Sequence, residues 1–186
     1  VFSGMGLMKS AKLAPEAILL PANFEAYRHY SLLFKAAVRA IAPKVEDRGI
    51  DEIYVDLSDN SEETRSLAQR IKDAVFAATG LSCSIGVTPN KLLSKIASDL
   101  EKPNGLTILS MEDVPTRIWS LAARKVNGIG PKASERLEHH GIRTIGELAA
   151  APQEFLVSKF GRSTGLWMHR IAHGIDDRPV VTESEP

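Results

Sequence analysis

The chain has a single cysteine, Cys83, so neither an intrachain disulfide framework nor a cysteine-based zinc cluster is open to it. A reducing, cytoplasmic setting fits that count. No apolar run approaches the ~18 residues that a membrane span requires, because Pro15, Glu16, Pro21 and Asn23 interrupt even the most apolar stretch. A soluble protein with no membrane partner is therefore expected. Val1 follows no initiator Met, basic leader or apolar leader, so no targeting signal is visible and the chain reads as a piece of a longer protein. Net charge is lacking as well: 23 Lys and Arg balance 23 Asp and Glu, which removes overall basicity as an argument for nucleic-acid binding.

What is present is an ordinary globular composition. The 186 residues are 44% hydrophobic and 25% charged, enough for one sizeable core or two small ones and incompatible with a mainly disordered chain. The charge is unevenly placed. Seven acids stand against three bases between Gly49 and Thr79, whereas Val1 to Arg48 carries seven bases and four acids. An acidic centre beside a basic arm suits a site that holds cations and meets a polyanion, and it equally suits solvated surface.

Residues from Asn23 to about Leu109 alternate between helix and strand patterns. An apolar stripe of Phe24, Tyr27, Leu32, Leu33, Ala37 and Ile41 predicts a helix over 24–41, stopped by Pro43. Strands are predicted over 45–50 and, from the alternation of Ile53, Val55 and Leu57, over 53–57. A helix from about Ser61, with acids in its first turn, ends at Gly80; alternating Leu81, Cys83, Ile85 and Val87 predict another strand, with Cys83 as a buried spacer. Pro89 opens a helix whose Leu92, Leu93, Ile96, Ala97 and Leu100 face a core, while Lys95, Asp99 and Lys102 share its other side. A short strand follows over 106–109. The fold class is α+β, with a mixed sheet covered by helices. From Met111 onward short helices separated by glycines predict a second, small, all-helical unit with its boundary near Glu112. Trp119, Phe155, Phe160 and Trp167 read as its core. His139, His140, His169 and His173 read as helix-end residues, since no third partner has metal-ligand spacing.

Two constellations carry chemistry. In Ile50-Asp51-Glu52-Ile53-Tyr54-Val55-Asp56 adjacent carboxylates fall between two strands, where a turn lets both converge on one hard divalent cation shared with substrate phosphates; the alternative is a simple polar turn. Val126-Asn127-Gly128-Ile129-Gly130-Pro131-Lys132-Ala133 formally satisfies a dinucleotide fingerprint, but the preceding Ala122 to Val126 is too short and too basic to be the buried strand that motif needs. A helix-hairpin-helix explains it better. The glycines allow a tight turn, the amides opening the next helix face a phosphate, and Arg124, Lys125 and Lys132 add charge; such contacts hold a backbone without reading sequence.

With those motifs in hand the chain resembles the Y-family translesion DNA polymerases, most closely the DinB branch. Phe24-Glu25-Ala26-Tyr27-Arg28 and Ile50-Asp51-Glu52-x-Tyr54-x-Asp56 are similar to family segments. So are Thr79 to Lys91, Lys95 to Asp99, Lys102-Pro103-Asn104-Gly105, Val126 to Ala133 and Gly174 to Val180. The resemblance implies the end of the fingers over 1–23, a palm over 24–111 lacking its first strand, a helical thumb with the helix-hairpin-helix over 112–179, and over 180–186 a linker toward a missing little-finger domain. It implies two Mg²⁺ ions held in the complete site by Asp51 and Glu52 as catalytic ligands, and Lys102 on the incoming deoxynucleoside triphosphate. Asn127, Gly128, Ile129, Gly130 and Lys132 would lie on the primer-template DNA. A sliding clamp would bind through a missing C-terminal segment of a monomeric protein. A further metal-binding aspartate and the steric gate are expected upstream of Val1, so this chain alone is expected to be inactive. Gly49 stands where the family has a serine, Ile53 where it has an alanine, and Phe2 and Gly6 where it has a basic residue and a proline. Two other readings stay open: a non-catalytic DNA-binding module using only the hairpin, and a nucleotidyl cyclase.

Overall fold

A computed structural model of the chain describes residues 1–2 and 4–182. The linker expected over 180–186 thus falls partly on residues 183–186, outside the described residues. Helix α1 (Leu7–Leu13), which the periodicity did not predict, buries none of its residues. Helix α2 (Phe24–Arg39) begins where the Asn23 side chain accepts the Ala26 N–H, and it ends two residues short of the predicted Ile41. Strands β1 (Val45–Asp47) and β2 (Ile53–Val55) are shorter than the alternation suggested. They pair antiparallel, Val45 opposite Val55 and Asp47 opposite Ile53, and the Arg48 N–H bonded to the Glu52 carbonyl closes the hairpin.

Helix α3 (Thr64–Thr79) starts three residues later than expected because Glu63 caps it: its carboxylate accepts the N–H groups of Arg65 and Ser66. The acids predicted inside its first turn therefore precede the helix, where the same dipole argument favours them. Strand β3 (Ile85–Val87), helix α4 (Lys91–Leu100) and strand β4 (Leu106–Ile108) form a β-α-β unit in which β3 and β4 pair in parallel. Cys83, only half-buried, lies before β3 rather than within a strand and packs against the core. Among the described residues the sheet is two separate two-stranded ribbons, one antiparallel and one parallel, rather than one continuous mixed sheet.

The remainder is helical: one-turn segments over 111–118 and Ala123–Lys125, then α5 (Pro131–His139), α6 (Ile145–Ala150), α7 (Gln153–Phe160) and α8 (Arg162–Ala172). One isolated bridge, Ala122 to Thr144, joins its loops. Trp119, Phe155, Phe160 and Trp167 pack against this unit's buried core, as the sequence indicates, and His140 lies edge-on to Phe155 and Phe160.

Two hydrophobic clusters organise the molecule. The smaller joins α2, α3 and the first ribbon through Val38, Val45, Leu67, Ile71 and Val75. The larger runs from Leu92, Leu93, Ile96 and Ala97 of α4 through Leu109 to Ala172 of α8. Helix α4 is thus packed into the core of the helical part, although in sequence it precedes the boundary expected near Glu112. It also lies tight on β3, because Gly86 has no side chain: a Cβ there would sit 2.5 Å from the Ser94 carbonyl and 2.8 Å from the Ala97 Cβ.

Candidate functional site

The β1–β2 hairpin presents Asp51 and Glu52 at its tip, and its shape is held from below. Gly49 adopts φ +129°, a conformation that side-chain-bearing residues rarely take, which accounts for glycine where a serine was anticipated. Lys35 of α2, largely buried, donates to both oxygens of the Asp47 carboxylate at 2.9 and 2.8 Å and to the Gly49 carbonyl at 2.6 Å. The hydrogen bond from Lys35 and the Gly49 N–H hold the Asp47 carboxyl below its ordinary pKa. Ile53 packs against the smaller core and leaves the hairpin in register.

A cleft of about 870 Å³ is bordered by β2 on one side and β3 on the other. Apolar side chains of α2 and α3, among them Phe34, Val38, Ile71 and Val75, line it together with the charged Asp51, Glu52, Lys95, Lys102 and Arg178. Here the three residues expected at the catalytic centre do meet one space. Asp51 is exposed. Glu52 is ion-paired with Lys95, which α4 carries across the cleft. Partial burial opposes the charge on Lys95, but the hydrogen bond and charge of Glu52 outweigh it and hold its pKa above the ordinary lysine value. Lys102, exposed, pairs with Asp99 at 2.6 Å. The sequence placed Lys95, Asp99 and Lys102 on one helix side; it held no signal that Glu52, 43 residues away, is the partner of Lys95.

The loop bearing Lys102 is anchored by a lysine that sequence reading missed. Lys72 of α3 is buried and donates to the carbonyls of Cys83 at 2.5 Å and Asn104 at 2.9 Å, and to the Asn104 side-chain oxygen at 2.7 Å. Tyr54, also on the cleft, has its hydroxyl pKa pushed up by burial, and the Lys91 ammonium lies 5.5 Å from its ring centre.

As a test of metal fit, adjacent carboxylates at an exposed turn are the hard oxygen donors that a divalent cation prefers. Among the described residues no group of three or more His, Cys, Asp or Glu is placed to hold a metal, so the chain offers Asp51 and Glu52 as two donors of an incomplete set.

The glycine hairpin lies apart from this cleft. Val126 and Ile129 are buried pegs in the larger core, while Arg124, Lys125, Asn127, Gly128, Gly130 and Lys132 are exposed. Of the five residues expected on DNA, Ile129 points inward, 4% exposed, and its N–H bonds the Val126 carbonyl; it positions the turn. Gly128 is at φ +106°, and a Cβ there would sit 2.9 Å from the Trp167 ring. Helix α5 opens at Gly130 with no side chain capping it, and because Pro131 has no N–H, the first amides without an intrahelical partner are those of Lys132 and Ala133. The helix before the hairpin is shorter than the motif suggests, a single turn over Ala123–Lys125.

Family models match two stretches of the chain, each of which contains one of the constellations. A model of the impB/mucB/samB family matches residues 1–99, and a model of the DNA polymerase-iota thumb domain matches residues 124–176. A DNA polymerase IV of Halalkalibacterium halodurans is 37% identical over 186 residues, which is 99% of this chain and 45% of that protein. The solved structure of DinB from Sulfolobus solfataricus superposes with a TM-score of 0.85 at 28% identity, covering 97% of this chain and 54% of that one. An insertion ternary complex of Dbh DNA polymerase superposes with a TM-score of 0.84 at 29% identity, over 97% and 54% of the two chains. The chain spans about half the length of the curated relatives it matches. It belongs to the impB/mucB/samB family.

Proposed function

We propose that this chain is the palm (24–111) and thumb (112–179) of a translesion DNA polymerase that copies damaged templates by nucleotidyl transfer, with residues 1–23 ending its fingers. The observation that carries this reading is the gathering of Asp51, Glu52 and Lys102 on one cleft, with a phosphate-type glycine hairpin presented separately on the helical body.

Y-family DNA polymerases use divalent metal ions. In this chain Asp51 and Glu52 would hold Mg²⁺, two ions in the complete site; when bound, they supply the charge that stabilises the primer 3′-oxyanion and the leaving pyrophosphate. Lys102 would place a point charge beside the triphosphate, and Lys95 pairs with the Glu52 carboxylate on the cleft. Gly128, Gly130 and Lys132, with Asn127, grip the primer-template backbone through main-chain amides and one ammonium, and Ile129 pegs the turn.

The cleft between the unpaired edges of β2 and β3 has the place and the apolar lining for the first palm strand, which would bring the third carboxylate beside Asp51 and Glu52. On this reading the chain alone binds DNA without turning over nucleotide. Monomeric action in the cytoplasm and a clamp-binding segment outside this chain complete the proposal.

The test is Asp51→Ala in the full-length protein. Primer extension is lost and DNA affinity is nearly unchanged; full retained activity overturns the assignment.

A further inference from the structure

The two hydrophobic clusters do not merge; Cys83 and Ile85 pack against the smaller one, buried Lys72 ties α3 to the same region, and a further buried polar contact joins the β1–β2 ribbon to α4. Its centre is Glu46 on β1. The Glu46 carboxylate accepts the Lys91 ammonium of α4 at 2.7 Å and the Val181 N–H at 2.8 Å. Glu46 and Lys91 are only 7% and 8% exposed. The Val181 contact spans 135 positions in sequence and exists because residues 174–181, after α8, run back over the first part of the molecule.

That returning strap is fastened twice more, both times to the start of α4. Asn90 donates to the Gly174 carbonyl at 2.8 Å, and Asp176 accepts the Leu92 N–H at 3.0 Å. Arg178 donates to both oxygens of the Asp176 carboxylate, at 2.7 and 2.8 Å. Lifting the strap would strand the Leu92 N–H and remove the Val181 donor from Glu46, leaving Lys91 and, at 3.7 Å, Arg48, so the seated position is favoured over any partly detached one.

We infer that Glu46, with the strap it receives, is a positioning residue that sets the carboxylate-bearing ribbon in register with the body carrying the DNA hairpin. Glu46 lies on the ribbon whose tip carries Asp51 and Glu52, while Lys91 and Val181 belong to elements joined to the helical core. Lys95, one turn beyond Lys91, ties the same helix to the ribbon tip through Glu52. The mechanical part of this inference stands on the geometry alone. Its consequence for catalysis rests on the polymerase reading above.

The test measures the register directly. Spin labels on Arg65 of α3 and Glu135 of α5, in a Cys83→Ser background, report the distance between the two bodies. The unaltered clasp gives one narrow distance, Glu46→Ala broadens it, and Glu46→Gln, which still accepts both donors, keeps it narrow. If Glu46→Ala does not fold, Asp176→Ala frees the strap without touching the ribbon and broadens the distance in its place. An unchanged width in a folded Glu46→Ala or Asp176→Ala variant overturns the inference. In the full-length protein Glu46→Ala also lowers kcat for single-nucleotide insertion about tenfold, while duplex affinity stays within about twofold and Glu46→Gln restores the rate. Equal loss of rate and affinity would overturn the positioning role. If the wild-type full-length protein inserts no nucleotide, the polymerase reading falls while the distance measurement still decides the clasp.

Discussion

At the scale of single residues, the informative positions are those where one atom more would not fit or one charge fewer would leave another stranded. Gly128 meets both a positive φ and the Trp167 ring, so Gly128→Ala is expected to cost about 1–3 kcal/mol, read as a lower denaturant midpoint, and to weaken DNA binding by tilting the turn. An unchanged midpoint would refute the steric account. Glu46 is the charge case. Burial opposes its ionisation, but the Lys91 hydrogen bond, the Val181 N–H and nearby cations outweigh that and leave its pKa below the ordinary 4.5. A carboxylate with a depressed folded pKa contributes stability that is present above the unfolded value and lost as pH falls through the folded one. Urea unfolding across pH should therefore show Glu46→Gln less stable than the wild type near neutrality, the gap closing below about pH 4.5; a gap independent of pH would remove the ion pair from the account. Asp51, Glu52 and the hairpin residues stand out in the sequence because they lie in short runs, whereas Lys102 is singled out only by the resemblance. Lys35, Lys72 and Glu46 do not stand out, since a charged residue in a polar run gives no sign that it will be buried against a partner far along the chain.

Among the elements, α4 does the most. Its apolar face was readable from spacing, and Asn90, which accepts the Leu93 N–H, starts it. Its proximity to β3 depends on Gly86, a position at which sequence gives only the absence of a side chain. Gly86→Ala would force the new methyl against the Ser94 carbonyl, and overpacking of this kind costs about 1–3 kcal/mol. Because α4 carries Lys91 and Lys95, its displacement should also slow primer extension by the full-length protein. Wild-type stability and rate in that variant would show that the contact relaxes without consequence. The strands were read too long, since alternation extends beyond the residues that find a hydrogen-bonded neighbour. Helix α1 was missed because its apolar residues face no core; Met8 is 80% exposed. Periodicity reports burial, so a helix that buries nothing is nearly silent.

For the whole molecule, the decisive feature is that the larger core begins in α4 and continues through the helical part, so the two regions share one packing unit at their junction. Leu93, 1% exposed, should therefore unfold both together: Leu93→Ala is expected to cost about 2–5 kcal/mol, with far-UV signal and the fluorescence of Trp119 and Trp167 lost in one transition. Two well-separated transitions would place the boundary back at Glu112, where composition alone puts it. By itself the sequence determined the alternation of helix and strand, the change to an all-helical texture, the carboxylate turn and the phosphate-type glycine turn, because propensity, capping and backbone freedom act over a few residues. The tertiary structure alone decided that β1–β2 and β3–β4 stand apart across a cleft and that Lys95 crosses it to Glu52. It alone placed residues 174–181 back on Glu46 and α4. Those outcomes depend on contacts between residues 43 to 135 positions apart, whose energies come from burial and pairing that no local window of sequence contains.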